Sequence, residues 1–267
     1  MNSIRNLALA LLVTFAASAA EYSDLYIVPV AGHARGAFGT SWRTDLVLHN
    51  IQLVPITVEI ALVESGQAPS AAPLAVTSLH LMPGETRVVS DLANGFGRDV
   101  AGALIVGAEM PFAVTSRTWA ELPAGRTLGQ TVAPVAITGT ADAVNTIAVL
   151  PLHMTNAQQR SNVGAFVAAS HAPLVVEVAV LSAGGATLAS QLIVVDEPGF
   201  VHRQLLIPPA DAGVTAVVRI LEGDGIVVPY ASIIDNATAE AVFLSGEPIS
   251  LRGGATLAML AKTVAAH

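Results

Sequence analysis

The chain contains no cysteine. That absence excludes thiol nucleophiles, zinc–thiolate sites and iron–sulfur clusters, and it leaves any folded unit to hold together by packing without disulfides. Basic charge is scarce too: 12 Lys and Arg stand against 20 Asp and Glu, for a net charge of −8, and Lys262 is the only lysine. Nucleic acid is drawn to clustered Lys and Arg, so the charge balance argues against a nucleic-acid partner. Aromatic residues are 4% of the chain and charged residues 12%, about half the usual charged share. Long apolar runs are missing as well. Past the N-terminus, Gly, Pro or a charge breaks every apolar stretch before the ~20 residues of a membrane-crossing helix, so no stable span is expected in the mature chain.

What is abundant is short apolar segments, in a chain of 267 residues that is 53% hydrophobic. The first of them reads as a leader. Arg5 precedes an apolar run from Leu7 to Phe15, and Ala17 and Ala19 follow in the A-x-A relation read by signal peptidase. Residues 1–20 are therefore expected to be a removable signal peptide, with export to the periplasm or the extracellular space.

The rest of the sequence resembles itself. Val54-Pro-Ile-Thr-Val-Glu-Ile-Ala-Leu-Val-Glu-Ser-Gly66 parallels Ala172-Pro-Leu-Val-Val-Glu-Val-Ala-Val-Leu-Ser-Ala-Gly184, each residue 118 positions from its counterpart. Arg43 and Arg160, Pro83-Gly84 and Pro198-Gly199, and Ser116 and Ser232 keep the same order at nearly the same offset. Within each copy Ile56, Val58, Ile60 and Leu62, or Leu174, Val176, Val178 and Val180, alternate with residues on the other face, the period of a half-buried strand. Turn formers separate the segments, and Glu222-Gly-Asp-Gly225 between two Val/Ile runs reads as a hairpin. The expected architecture is all-β: two tandem β-sandwiches of immunoglobulin-like type at 22–136 and 143–250, each with its own core. Residues 251–267 form a tail or a short helix, with docking on the second unit preferred.

Trp42-Arg-Thr-Asp-Leu-Val-Leu-His-Asn50, after a Gly-rich loop, resembles a W-R-T-D-L-x-L-x-N strand of uncharacterised secreted proteins of soil bacteria. A Pro-Gly turn and a late segment like Tyr230-Ala-Ser-Ile-Ile-Asp-Asn236 belong to the same pattern. The resemblance implies immunoglobulin-like or adhesion-type modules outside the cytoplasm and brings no reaction with it. The first unit departs from it at Val114–Trp119, and the second has Gln159 where the first has Trp42.

Chemistry-bearing motifs are few. The seven histidines, at 33, 49, 80, 153, 171, 202 and 267, form no metal-ligand spacing, and no G-x-S-x-G element is present, so no metal or cofactor is expected. His33, Asp45 and Ser116 make a hydrolase triad only if the fold happens to gather them. Arg43 and Asp45, two apart on one strand, share a face and read as structural polar residues, as does Arg160. The loop from Gly32 to Ser41, carrying His33, Arg35 and Phe38, is the candidate partner-binding surface. These features favour a non-enzymatic interaction or structural module whose partner is a protein or a surface glycan. The alternatives are an atypical hydrolase of carbohydrate or ester and an accessory subunit of a cell-envelope assembly.

Overall fold

The computed structural model describes residues 22–36, 39–70, 72–96, 99–121, 127–137, 146–152, 156, 158–209, 213–238, 240–251 and 254–265. The leader expected at 1–20, Phe38 and the connecting residues 138–145 lie outside them.

The first half carries β1 (Ser23–Arg35), β2 (Ser41–His49), β3 (Ile56–Glu64), β4 (Ala75–Leu81), β5 (Thr86–Val89), β6 (Val100–Glu121), β7 (Thr127–Thr131) and β8 (Val135–Ala136). The second carries β9 (Ile147–Leu152), β10 (Gln159–Ala169), β11 (Leu174–Ser182), β12 (Thr187–Val195), β13 (Gly199–Leu206), β14 (Val214–Glu222), β15 (Gly225–Asp235), β16 (Ala241–Ser245) and β17 (Ile249–Leu251). Helix α1 (Gly254–Ala265) follows. Among the described residues the regular elements are all β apart from this helix and a short 3-10 turn at Leu92–Phe96. Sequence periodicity splits β6 in two, at 102–106 and 112–119. In the structure it is one strand.

Each half has two antiparallel layers. In the second, one sheet runs β13-β10-β15-β16 and the other β12-β11-β14-β9. Their inner faces meet around Leu150, Val163, Val176, Val178, Ile193, Val201, Val218 and Val227. In the first half β6 serves both layers. Its early residues pair with β1 and β3, and residues 113–121 pair with β2. The layers are thus β4-β3-β6-β1 and β5-β2-β6-β7, closed on Leu46, Leu48, Ile60, Leu62, Leu104 and Phe112. Strand for strand the order matches the second half, with β14 and β15 in the places of the two ends of β6.

The turn at 221–226 corrects one expectation. It does not close a hairpin, because β14 and β15 belong to different sheets. Gly223 has φ +88°, and a Cβ there would lie 2.0 Å from the Pro173 carbonyl oxygen. Backbone leading into β11, the strand beside β14 in its own sheet, occupies the space of a side chain, and beyond this turn the chain crosses to β10's sheet, a corner between layers. The sandwich expectation stands, but the strand order is its own. In immunoglobulin domains the sixth and seventh strands lie in one sheet, and here β14 and β15 do not.

A third apolar layer joins the halves. Leu25, Ile27, Ala61, Val63, Ala103 and Ile105, on the reverse of the β4-β3-β6-β1 sheet, pack against Phe166, Ala168, Phe200, Ile226 and Val228 on the reverse of the β13-β10-β15 sheet. Four sheets are therefore stacked, and the central strands of the two middle ones are buried on both faces. Alternation in β3 accordingly gives way to continuous burial. Backbone hydrogen bonds reinforce the seam, from Ser70 N to Phe200 O at 3.1 Å, from Phe200 N to Ser70 O at 2.7 Å and from Gly66 N to His202 O at 3.2 Å. Helix α1 does not dock on the second half alone. It touches β3 and β6 as well as β10 and β15, with Leu260 in the shared layer and Thr256 Oγ1 3.1 Å from Ser170 Oγ.

Candidate functional site

The polar residues singled out in the first half converge on one that the sequence does not mark. Arg43 and Asp45 share the outward face of β2, as their spacing requires. Asp91, just past β5, stands in the left-handed backbone region with φ 47°. This bend aims its N–H at Asp45 Oδ1 (2.8 Å) and leaves its carboxylate to accept from Arg43 Nη1 (2.7 Å) and to meet His33 Nδ1 (2.9 and 3.0 Å). Trp119 Nε1 donates to Asp45 Oδ2 at 2.8 Å, and the Arg43 guanidinium lies 5.8 Å from the centre of the Trp119 ring. The hydrogen bond to Asp91, outweighing burial, raises the Arg43 pKa above its ordinary value. Each charge in the cluster is taken up by another, and together they tie β1, β2, β6 and the turn after β5. The geometry is that of a clamp.

His33 and Arg35 are not loop residues. β1 runs through Arg35, and Ala34 and Arg35 pair with Trp42 and Ser41, so the connection shrinks to 36–40. The Arg35 side chain is 87% exposed and 3.8 Å from Asp99. The His33–Asp45–Ser116 combination is not assembled. Ser116 pairs with inward-facing Leu46 and is buried, whereas Asp45 faces outward and His33 binds Asp91. In the second half Arg160 Nη1 donates to Asn236 Oδ1 at 2.6 Å, and burial lowers its pKa. The arginine is shared by both halves, but its acidic partner is not.

A second cluster sits at the seam. His202, on β13, is buried, and its Nε2 lies 2.8 Å from the Tyr230 hydroxyl. Tyr230 is stacked between the His202 and Phe243 rings and roofs Gly164, where a Cβ would meet the phenol at 2.4 Å. Among the described residues His202 Nδ1 has no hydrogen-bond partner of good geometry. Burial pushes the imidazole pKa down to about 4, with a small opposing effect from the Pro29 backbone.

The two outermost faces of the stack differ in chemistry. The outward face of β5-β2-β6-β7 presents Arg43, Asp45, His49, Thr86, Thr115 and Arg117. The outward face of β12-β11-β14-β9 presents Leu192, Val194, Val175, Val217, Ile147 and Val149 among Ser190, Thr215, the ion-paired Glu177 and Arg219, and Glu222 beside Val175 at its end. Strand β9, Ile-Ala-Val-Leu-Pro-Leu, has an apolar residue at every position, yet alternate ones are exposed. Around its edge this face continues into an apolar recess of about 510 Å³ lined by Pro151, Leu152, Ile233, Val242 and Leu244. Sequence reasoning missed the face. The signal was there, in a strand as greasy as one buried on both sides.

Among the described residues no group of three or more His, Asp or Glu is placed to hold a metal ion, and no helix is long and apolar enough to cross a membrane. No protein-family model and no curated protein matches the chain. Among solved structures, a calcium-binding mutant of Bacteroides uniformis β-glucuronidase 2 overlaps 83% of this chain and 28% of its own length, at 8% identity and a TM-score of 0.20. So loose an overlap carries neither fold nor activity across.

Proposed function

We propose that this chain is an exported, non-catalytic interaction module built from two copies of one β-sandwich. Its working surface is the outward face of β12-β11-β14-β9. One observation carries the reading: the chain keeps a largely apolar sheet face in water, with Leu192, Val194, Ile147 and Val149 exposed together, where single scattered apolar residues would be ordinary and a contiguous patch marks a contact surface. The duplicated sequence, and the common strand order of the halves, support descent from one repeated unit. The Arg43–Asp91–His33 cluster is assigned to stability, since its groups satisfy one another. The segment 32–41 is thereby set aside as the partner surface in favour of the bare face.

Export is checked by the N-terminal residue of the protein recovered outside the cytoplasm, expected at Ala20 or Glu21. The surface is checked by immobilising the protein and its Val149→Lys/Leu192→Lys variant and challenging both with exported proteins and with surface polysaccharide. The variant should lose what the parent retains. Equal retention by both would sink the assignment of the face.

A further inference from the structure

Resting on that reading, we infer that the occupant of the bare face is the same face of a second copy of this chain, in a two-fold dimer. The first half shows what such a face takes. Its row Ala61–Ile105–Ile27 has the lattice positions of Ala179–Val217–Val149 in the second half, and Glu59–Gly107–Leu25 those of Glu177–Arg219–Ile147. In the first half these rows lie under another sheet, with Leu25 3% and Ile27 0% exposed. In the second, Ile147 is 48% and Val149 56% exposed.

The cover used in the first half is the aromatic face of Phe166 and Phe200, and within each chain that face is already consumed. A second copy therefore has one comparable face to offer, this one. Identical faces meet about a two-fold axis, which closes the assembly at two. With the axis in the interface, parallel to the strands and midway between β11 and β14, β11 lies over β14 of the other copy and β12 over its β9. Leu192 then meets the partner's Ile147. Glu177 meets the partner's Arg219, and Arg219 the partner's Glu177, so the two charges of that row are matched across the axis. Four strands about 4.8 Å apart and six to nine residues long give roughly 500 Å² of flat sheet per copy, or about 1,000 Å² in all, the scale at which a specific interface begins.

The test is sedimentation equilibrium of the purified chain up to tens of micromolar. The parent should show twice the mass of one chain. Val149→Lys/Leu192→Lys should show the mass of one chain and still unfold in one cooperative transition, with a midpoint that no longer depends on concentration, because both side chains stand in solvent in the single copy. Glu177→Arg should weaken association about tenfold, about 1.4 kcal/mol, and Glu177→Arg/Arg219→Glu should restore it. A parent with the mass of one chain throughout, or a dimer indifferent to these changes, overturns the inference. If the parent is single but still retains an exported protein or glycan that the Lys variant loses, the dimer is wrong and the interaction reading stands. If the parent is single and retention is the same for both, both fall.

Discussion

At the scale of residues, Asp91 does the most with the least sequence signal. It follows Ser90 in a turn, has no periodic partner, and becomes visible as a hub only when β5 is laid beside β2. Arg43 and Asp45 were legible because a strand puts residues two apart on one face; what they face was not. Asp91→Asn keeps the shape and tolerates the left-handed backbone, but removes the charge that Arg43 and His33 share. The expected cost is about 1–3 kcal/mol, read as a lower urea midpoint with unchanged slope. His202 gives a pH signature. Above pH 6.5 the ring is neutral in both folded and unfolded chains. As pH falls from 6.5 toward about 4, the unfolded chain takes the proton and the buried ring does not. Stability should drop through that window by up to about 3 kcal/mol. His202→Gln should flatten the pH dependence of the midpoint between those limits, and an unchanged slope would place the titration elsewhere.

Elements were read well wherever alternation or a Gly/Pro break marked them. β2, β3 and β11 cover the strands read at Trp42–Asn50, Ile56–Leu62 and Leu174–Val180, whereas β1 runs through Arg35 into the segment read as a loop. Connectivity was read less well, for a physical reason. A two-residue Gly-Asp or Asp-Gly break is compatible with a hairpin and with a corner, and what separates them is whether the flanking strands pair with each other or with different neighbours. Here β14 pairs with β11 and β15 with β10. Gly223→Ala should do more than strain a loop, because its methyl group would drive the end of β14 off the Pro173 backbone beside it. A loss of about 1–3 kcal/mol is expected from the backbone conformation alone, measurable by thermal unfolding. Gly184→Ala, with only Ser182 near its Cβ position at 3.9 Å, should be nearly neutral by the same assay. At the end of the chain, helix propensity was visible in Ala255–Ala266, but its seat across both halves was not, since the seat is made by residues far away in sequence.

For the whole molecule, two cores were readable and the third was hidden. Sequence alternation assigns one face of β3 to a core and leaves Glu59, Ala61 and Val63 to the other side, where solvent is the default. The structure puts Ala61 and Val63 into the shared layer and buries Glu59, whose Oε2 has no hydrogen-bond partner among the described residues. Each half still owns a core, so 22–136 and 143–267 made separately should acquire β-structure, yet each would expose half of the shared layer. Mixed together they should associate one to one, with a sharper and higher melting transition than either alone. Calorimetry of the mixture checks this, and two transitions unaffected by mixing would show that the layer adds nothing.

The double burial of the middle sheets also limits how this chain can change. The central stretches of β1, β3 and the early part of β6, at 25–28, 58–62 and 103–106, have no solvent side, so a polar substitution there cannot be hidden by turning outward, and a register slip would exchange one interior for another. Tolerance to drift is thus concentrated in the two outermost layers, and the interior pair forms a fixed frame between them. New binding properties would arise on the outer layers without disturbing how the halves are joined.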